Sequence, residues 1–233
     1  MELSRRLQAV ADLISDGLVV ADVGTDHGYI PIYLIEAEKS PKAYALDVNK
    51  GPLLRAKEHI AAYRMNSRIE TRLSDGVRAL EVGECECVVI AGMGGALTIK
   101  ILEDGEEVFR NLKEFVLQPQ SEVQKVREYL CNHAYVIVEE DMVFDEGKFY
   151  PMFRVINGYP STYHKIELCY GKLLLEKKNL VLKAFLNKEK KKKTTILSNL
   201  ETNFGEHIEI RKKEIQEELE AIEYALQRYY EGD

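Results

Sequence analysis

The segment Val19–Pro31, VVADVGTDHGYIP, places Asp22, Gly24, Asp26, His27 and Gly28 between an apolar run and a helical pattern. That order describes a strand, a tight turn and a helix N-terminus, where backbone N–H groups can meet a bound group. Asp47 follows AYAL and Asp75 follows RLS, so acids recur at successive strand ends. Such carboxylates accept hydrogen bonds from hydroxyls or from an exocyclic amine. A later run, CVVIAG, opens into Gly92-Met93-Gly94-Gly95, whose missing side chains let a ligand approach the backbone. Together these residues point to a nucleotide-like cofactor lying across the edge of a parallel sheet.

The loop chemistry narrows the cofactor. A dinucleotide site wants GxGxxG, so that pyrophosphate sits on the helix N-terminus. This chain has GxDxG instead, and the Asp26 carboxylate would repel a pyrophosphate. It favours a cationic ligand such as S-adenosylmethionine, which carries a sulfonium and an ammonium. Asp47 is placed for ribose hydroxyls and Asp75 for an adenine amine. For His27, a place at the helix start without a chemical role is an equal reading.

The elements that must position these residues alternate. An amphipathic first helix carries Leu3, Leu7, Val10 and Ile14 on one face. Strands are expected at LVVADVG, AYALDV, RIETRLS, CVVIAG and EFVLQ. Helices are expected at YIPIYLIEAEK, Pro52–Arg64, ALTIKILEDG (stopped near Gly105) and SEVQKVREYLCNH, the last with Ser121 as N-cap and Gln124 in a capping box. AYVIVEEDMVF and KFYPMFRVI then follow across Asp145-Glu146-Gly147, a hairpin signal. The expected fold is α/β, a Rossmann-like seven-stranded, mostly parallel sheet ending in an antiparallel hairpin, which is the plan of class I methyltransferases. Gly158-Tyr159-Pro160 sets a boundary between residues 1–160 and 161–233. In the second part Leu168, Leu175, Leu182 and Leu186, then Ile208, Ile215, Leu219, Ile222 and Leu226, predict two long antiparallel helices as a coiled coil, broken near Lys190–Thr195. Asn203-Phe204-Gly205 separates them.

Composition sets the outer limits. The chain has 233 residues, is 45% hydrophobic and carries a net charge of −7. Residues 1–160 carry −8, whereas residues 161–233 balance 14 Lys+Arg against 13 Asp+Glu. Lys183–Lys193 holds six lysines and one glutamate, a strip that can meet phosphate or serve as a solvated helix face. No apolar run is long enough for a membrane span, and no signal-peptide plan opens the chain. Cys85, Cys87, Cys131 and Cys169 form no CxxC pair, so buried free thiols are expected, with no metal site.

ADVGTDHGYIP, ALDVN, LSDG, VIAGMGG and LQPQ, in this order and spacing, closely resemble the bacterial tRNA (adenine-22-N1)-methyltransferase family. That family appends a two-helix coiled coil to a class I methyltransferase core. The resemblance implies a cytoplasmic enzyme that moves a methyl group from S-adenosylmethionine to N1 of adenine 22 in tRNA, as a monomer or weak dimer. The chain lacks an Asn/Asp-Pro-Pro-Tyr/Phe motif after its fourth strand. That suits attack by a ring nitrogen, which already bears a lone pair, better than attack by an amine. The expected cofactor-binding set is Asp22, Gly24, Thr25, His27, Gly28, Asp47, Val48, Asp75, Gly76, Gly92, Met93 and Gly94. Asp26 is the candidate for stabilising the new positive charge, with the cofactor ammonium as its competing partner. Tyr29 and Tyr150 are candidates for stacking on a base taken out of its helix, and Arg5, Arg6, Lys190 and Lys192 for meeting tRNA.

Alternatives remain open at this stage. A methyltransferase acting on another RNA, a protein or a small metabolite would use the coiled coil as a dimerisation arm. A non-enzymatic binding module would have to retain the Asp22, Asp47, Asp75 and GMGG set without using it. An NAD oxidoreductase would have to explain GxDxG and the terminal hairpin.

Overall fold

Val20–Val23 forms β1, and all four of its residues are buried, as a strand covered on both faces requires. In the computed structural model, residues 1–159, 162–201 and 205–231 are described. Around β1 stand β2 (Ala43–Asp47), β3 (Ile69–Leu73), β4 (Cys87–Met93), β5 (Glu114–Pro119), β6 (Tyr135–Asp145) and β7 (Lys148–Asn157). They make a seven-stranded sheet in the order β3-β2-β1-β4-β5-β7-β6. β1 to β5 are parallel, β7 runs antiparallel to β5, and β6 to β7. The chain works outward from β1 to β3, then crosses back to β4 on the other side of β1. The crevice between β1 and β4 is therefore the topological switch point, where such sheets bind ligands.

Helices cover the sheet: α1 (Arg5–Asp12), α2 (Tyr29–Glu36), α3 (Lys50–Ala62), α4 (Gly95–Asp104), α5 (Glu106–Arg110) and α6 (Val123–Asn132). Ser4 caps α1 by accepting a hydrogen bond from the Leu7 N–H, 3.3 Å. The expected apolar face of α1 is used in packing. Val10 and Ile14 join a core cluster with Leu34, Val89, Val116 and Met152, and Leu3 and Leu7 lie against it. The hairpin turns on Glu146 and Gly147, both with positive φ, the geometry of a two-residue turn matched to strand twist.

Three local expectations are corrected. α6 does not start on Ser121: Glu122 precedes it with φ 50°, and the Ser121 hydroxyl instead accepts from the Gly95 N–H. Gln124 makes no capping box; its amide donates to Glu128 one turn on. The short helix α5 follows α4 directly after Gly105, where the sequence pattern signals only a stop. Cys85 and Cys87 are buried, but Cys131 and Cys169 are only half-buried.

The chain divides into compact units at Met1–Thr162 and Tyr163–Asp233. Pro160, Asn203 and Phe204 lie outside the described residues. The second unit begins with two short helices, α7 (Lys165–Tyr170) and α8 (Lys172–Glu176), rather than one long one. α9 (Leu180–Glu201) and α10 (Glu206–Leu226) then pack on each other. Lys190 pairs with Glu223 and Lys193 with Glu218, so the two helices run antiparallel. α9 is continuous through Lys190–Thr195, because these ion pairs offset the repulsion among its lysines.

One polar pair is fixed deep in the first unit. Arg127 of α6 donates through Nε and Nη2 to Glu140 of β6, both at 2.9 Å, with the two side chains only 2% and 1% exposed. Arg127→Met leaves the Glu140 carboxylate buried without its guanidinium. Urea unfolding should then show a loss of about 3–5 kcal/mol. An unchanged midpoint would contradict this account of the pair.

Candidate active site

The turn after β1 is shaped by crowding. Gly24 has φ +77°, and a methyl built on it would lie 2.1 Å from Met93 Cε. Met93 therefore occupies the space over the Gly24 backbone. The Gly24 and Thr25 N–H groups both donate to the Leu46 carbonyl, at 2.8 and 2.9 Å, so they tie β1 to β2 and are not free for a ligand. His27 and Gly28 follow with φ 66° and 68°. Gly28 caps α2 and faces Ala56 and Ile60 of α3 at ordinary contact distance, so its need is conformational rather than one of helix–strand approach.

At the switch point lies a cavity of about 310 Å³. Asp22, Gly24, Asp26, His27 and Tyr29 line it from the first turn, Ala91 and Gly92 from the end of β4, Arg6 and Leu7 from α1, and Gln120 from the segment after β5. Asp22 is buried, and burial pushes its pKa up to about 6, with the nearby Thr25 hydroxyl pulling it back and the Asp47 charge adding to the rise. Asp26 is exposed and held by Arg55 of α3, whose Nη2 and Nε stand 2.8 and 3.2 Å from Oδ1. His27, Tyr29 and His59 form a ring cluster: His27 and Tyr29 stack with planes 12° apart and centroids 5.2 Å apart. The His27 Nδ1 is buried without a partner among the described residues.

Arg6 is fixed from three directions. Its Nη1 donates to Gln118 Oε1 (2.9 Å), its backbone N–H donates to Asp145 Oδ2 (3.1 Å), and its guanidinium lies over the Tyr150 ring, 5.5 Å from the centroid. Gln118 and Gln120 carry no charge and no periodic signal. Only their place in LQPQ marks them in the sequence.

The remaining sequence-derived residues lie elsewhere. Asp47, Val48, Asp75 and Gly76 sit at the carboxyl ends of β2 and β3, outside the cavity lining. Asp47 Oδ1 accepts from the Asn49 N–H at 2.6 Å, while Oδ2 has no hydrogen-bond partner among the described residues. Val48 is 59% exposed beside it, and Leu73, the register partner of Asp47 on β3, is exposed as well. Gly94 faces the Ser121 hydroxyl and Gly95 the Ser121–Glu122 segment; a methyl on Gly95 would lie 2.5 Å from the Ser121 carbonyl oxygen. Arg5 lines a different cavity, with Gln8, Asp12 and Asp141. Lys190 and Lys192 belong to the second unit and face Glu223 and Glu189.

A methyltransferase domain family matches residues 3–153. The tRNA (adenine(22)-N(1))-methyltransferase of Bacillus subtilis is 36% identical over 186 residues, 78% of each chain. The chain belongs to the tRNA (adenine(22)-N1)-methyltransferase family. A Streptococcus pneumoniae protein solved in complex with S-adenosyl-L-methionine is 30% identical, with a TM-score of 0.87 over 97% of this chain and 100% of that one. TrmK of M. capricolum, solved with S-adenosyl-homocysteine, is 27% identical with a TM-score of 0.84, covering 97% and 98%. In this member of the family, burial at the end of β1 acts on the Asp22 carboxyl.

The Asp22 shift has a definite sign. The folded chain holds this proton more tightly than the unfolded chain, whose carboxyl titrates near 3.8. The resulting stabilisation is present below that value and is lost as pH rises through about 6. As pH rises across this window, Asp22→Asn should gain on the order of 2–3 kcal/mol relative to the unsubstituted, ligand-free chain. Urea unfolding of both chains measures it; a difference independent of pH would show that Asp22 titrates normally.

Proposed function

We propose that this chain transfers a methyl group from S-adenosylmethionine to N1 of adenine 22 in tRNA. The observation that carries the reading is the cavity at the β1/β4 switch point, bounded by Asp22, Gly24 and Gly92, in a chain of this family. The residues fit the cofactor. Asp47 keeps Oδ2 for a ribose hydroxyl, exposed Val48 offers an apolar surface for a base, and Asp75-Gly76 is placed for its exocyclic amine. Asp22 and His27 line the cavity, where the Asp22 carboxylate would hold an ammonium. Bound there, S-adenosylmethionine supplies a methyl carbon activated by a sulfonium.

The chain's own residues then have three tasks. They hold the adenine with its N1 lone pair unobstructed, they exclude water from the crevice, and they accommodate the positive charge that the adenine gains. The Asp22 carboxylate, ionised against the cofactor's ammonium, fixes the polar part of the cofactor at the end of β1. Asp26 is already paired with Arg55, so its charge acts as part of a neutral pair. Tyr29, stacked with His27, offers a face for the base, whereas Tyr150 supports Arg6. We also propose that the lysines of α9 assist tRNA binding, with Lys190 and Lys192 releasing their glutamates. We propose a cytoplasmic location, in keeping with a tRNA substrate, and a monomer or weak dimer as the assembly.

Incubation with labelled S-adenosylmethionine and unmodified tRNA, followed by nucleoside analysis, should yield 1-methyladenine at position 22. Activity on another substrate without that product would overturn the reading. Asp26→Asn frees Arg55 beside the cavity and should lower turnover or cofactor affinity several-fold; if neither changes, both roles considered for Asp26 are excluded.

A further inference from the structure

We propose that Gln120 is the residue that selects adenine, by pairing with N6–H and N7 on the Hoogsteen edge of the base. This inference rests on the methyl-transfer reading above. If N1 is the acceptor, its lone pair must stay uncovered, so the identity of the base has to be read elsewhere. Adenine then offers one adjacent donor–acceptor pair, the N6 amine and N7. A planar carboxamide matches it, its oxygen accepting from N6–H and its NH2 donating to N7.

Among the described residues that line the cavity, Gln120 alone carries such a group. Asp22 and Asp26 only accept when ionised. Arg6 only donates, and its Nη1 is already given to Gln118. The two nitrogens of His27 point to opposite sides of its ring, and Tyr29 has a single hydroxyl. Gln120 is also placed for the task. Its backbone N–H donates to the Met93 carbonyl at 2.8 Å, which fixes the start of its side chain. The side chain is exposed, and its amide makes no hydrogen bond to the described residues.

Gly92 supplies the floor. It has φ +81°, and a methyl built on it would stand 3.6 Å from both Gln120 Nε2 and Arg6 Nη1. The missing side chain keeps a slot open between those two groups, where a planar base can lie against backbone. Guanine in that slot would set its O6 against Gln120 Oε1, acceptor against acceptor, and its N1 carries a hydrogen. Pyrimidines have no N7.

The test uses the full chain and tRNA with 7-deazaadenosine at position 22, which lacks only the N7 acceptor. The unsubstituted chain should lose roughly ten- to a hundredfold in kcat/KM on this tRNA. Q120A should lose a similar factor on ordinary tRNA and nothing further on the 7-deaza tRNA, with the Kd for S-adenosylmethionine unchanged. Penalties that multiply, a Q120A chain with full activity, no penalty for the 7-deaza base, or a weakened cofactor Kd would each overturn the assignment. If the unsubstituted chain makes no 1-methyladenine even on ordinary tRNA, the parent reading fails and this one with it. The control on ordinary tRNA therefore separates the two failures.

Discussion

Gly24 stands where three strands are brought together, and the Met93 methyl of β4 occupies the space above it. The Leu46 carbonyl of β2 takes the N–H groups of Gly24 and Thr25. The end of β1 is thereby held to both neighbours at once. The buried carboxylate of Asp22, the left-handed pair His27-Gly28 and the start of α2 all take their positions from this turn. A larger residue at Gly24 would carry the strain of φ +77° and would displace the Met93 methyl from the crevice.

Charge within the crevice is sorted by how each group is compensated. Asp26 meets Arg55, and Arg6 is held by an uncharged amide and an aromatic face rather than by a carboxylate at its guanidinium. Arg6 therefore keeps its charge while losing its freedom to move, whereas Asp26 keeps its position with its charge offset. Asp22 has no cation beside it among the described residues, and burial makes its ionisation costly. A cationic ligand would repay that cost, which links the acid at the end of β1 to the kind of cofactor it can hold.

Much of this was legible from local patterns. Asp22, Asp47 and Asp75 appear at strand ends because apolar runs stop there, and the Glu146-Gly147 turn follows from turn chemistry between two alternating segments. What failed was decided by partners far along the chain. Ser121 reads as an N-cap, but Gly95 lies close enough to take its hydroxyl. The lysine run reads as a break in α9, but Glu218 and Glu223 across the pair stabilise it. Arg6 could be named only as a basic residue near the start; its three constraints come from Gln118, Asp145 and Tyr150. Gln118 and Gln120 were invisible as chemistry, since a neutral amide acquires a role only from what surrounds it.

The latch on Arg6 joins residues 112 and 139 positions apart. During synthesis, α1 leaves the ribosome long before Gln118 and the β6–β7 hairpin exist to receive it. The parallel strands that form the β1 turn can assemble first, and the contacts that fix Arg6 are completed only once β5 and the hairpin have been made. Order of emergence thus separates the two halves of the crevice: the wall set by β1, β2 and β4 is an early product of the nascent chain, and the wall set by Arg6 is a late one.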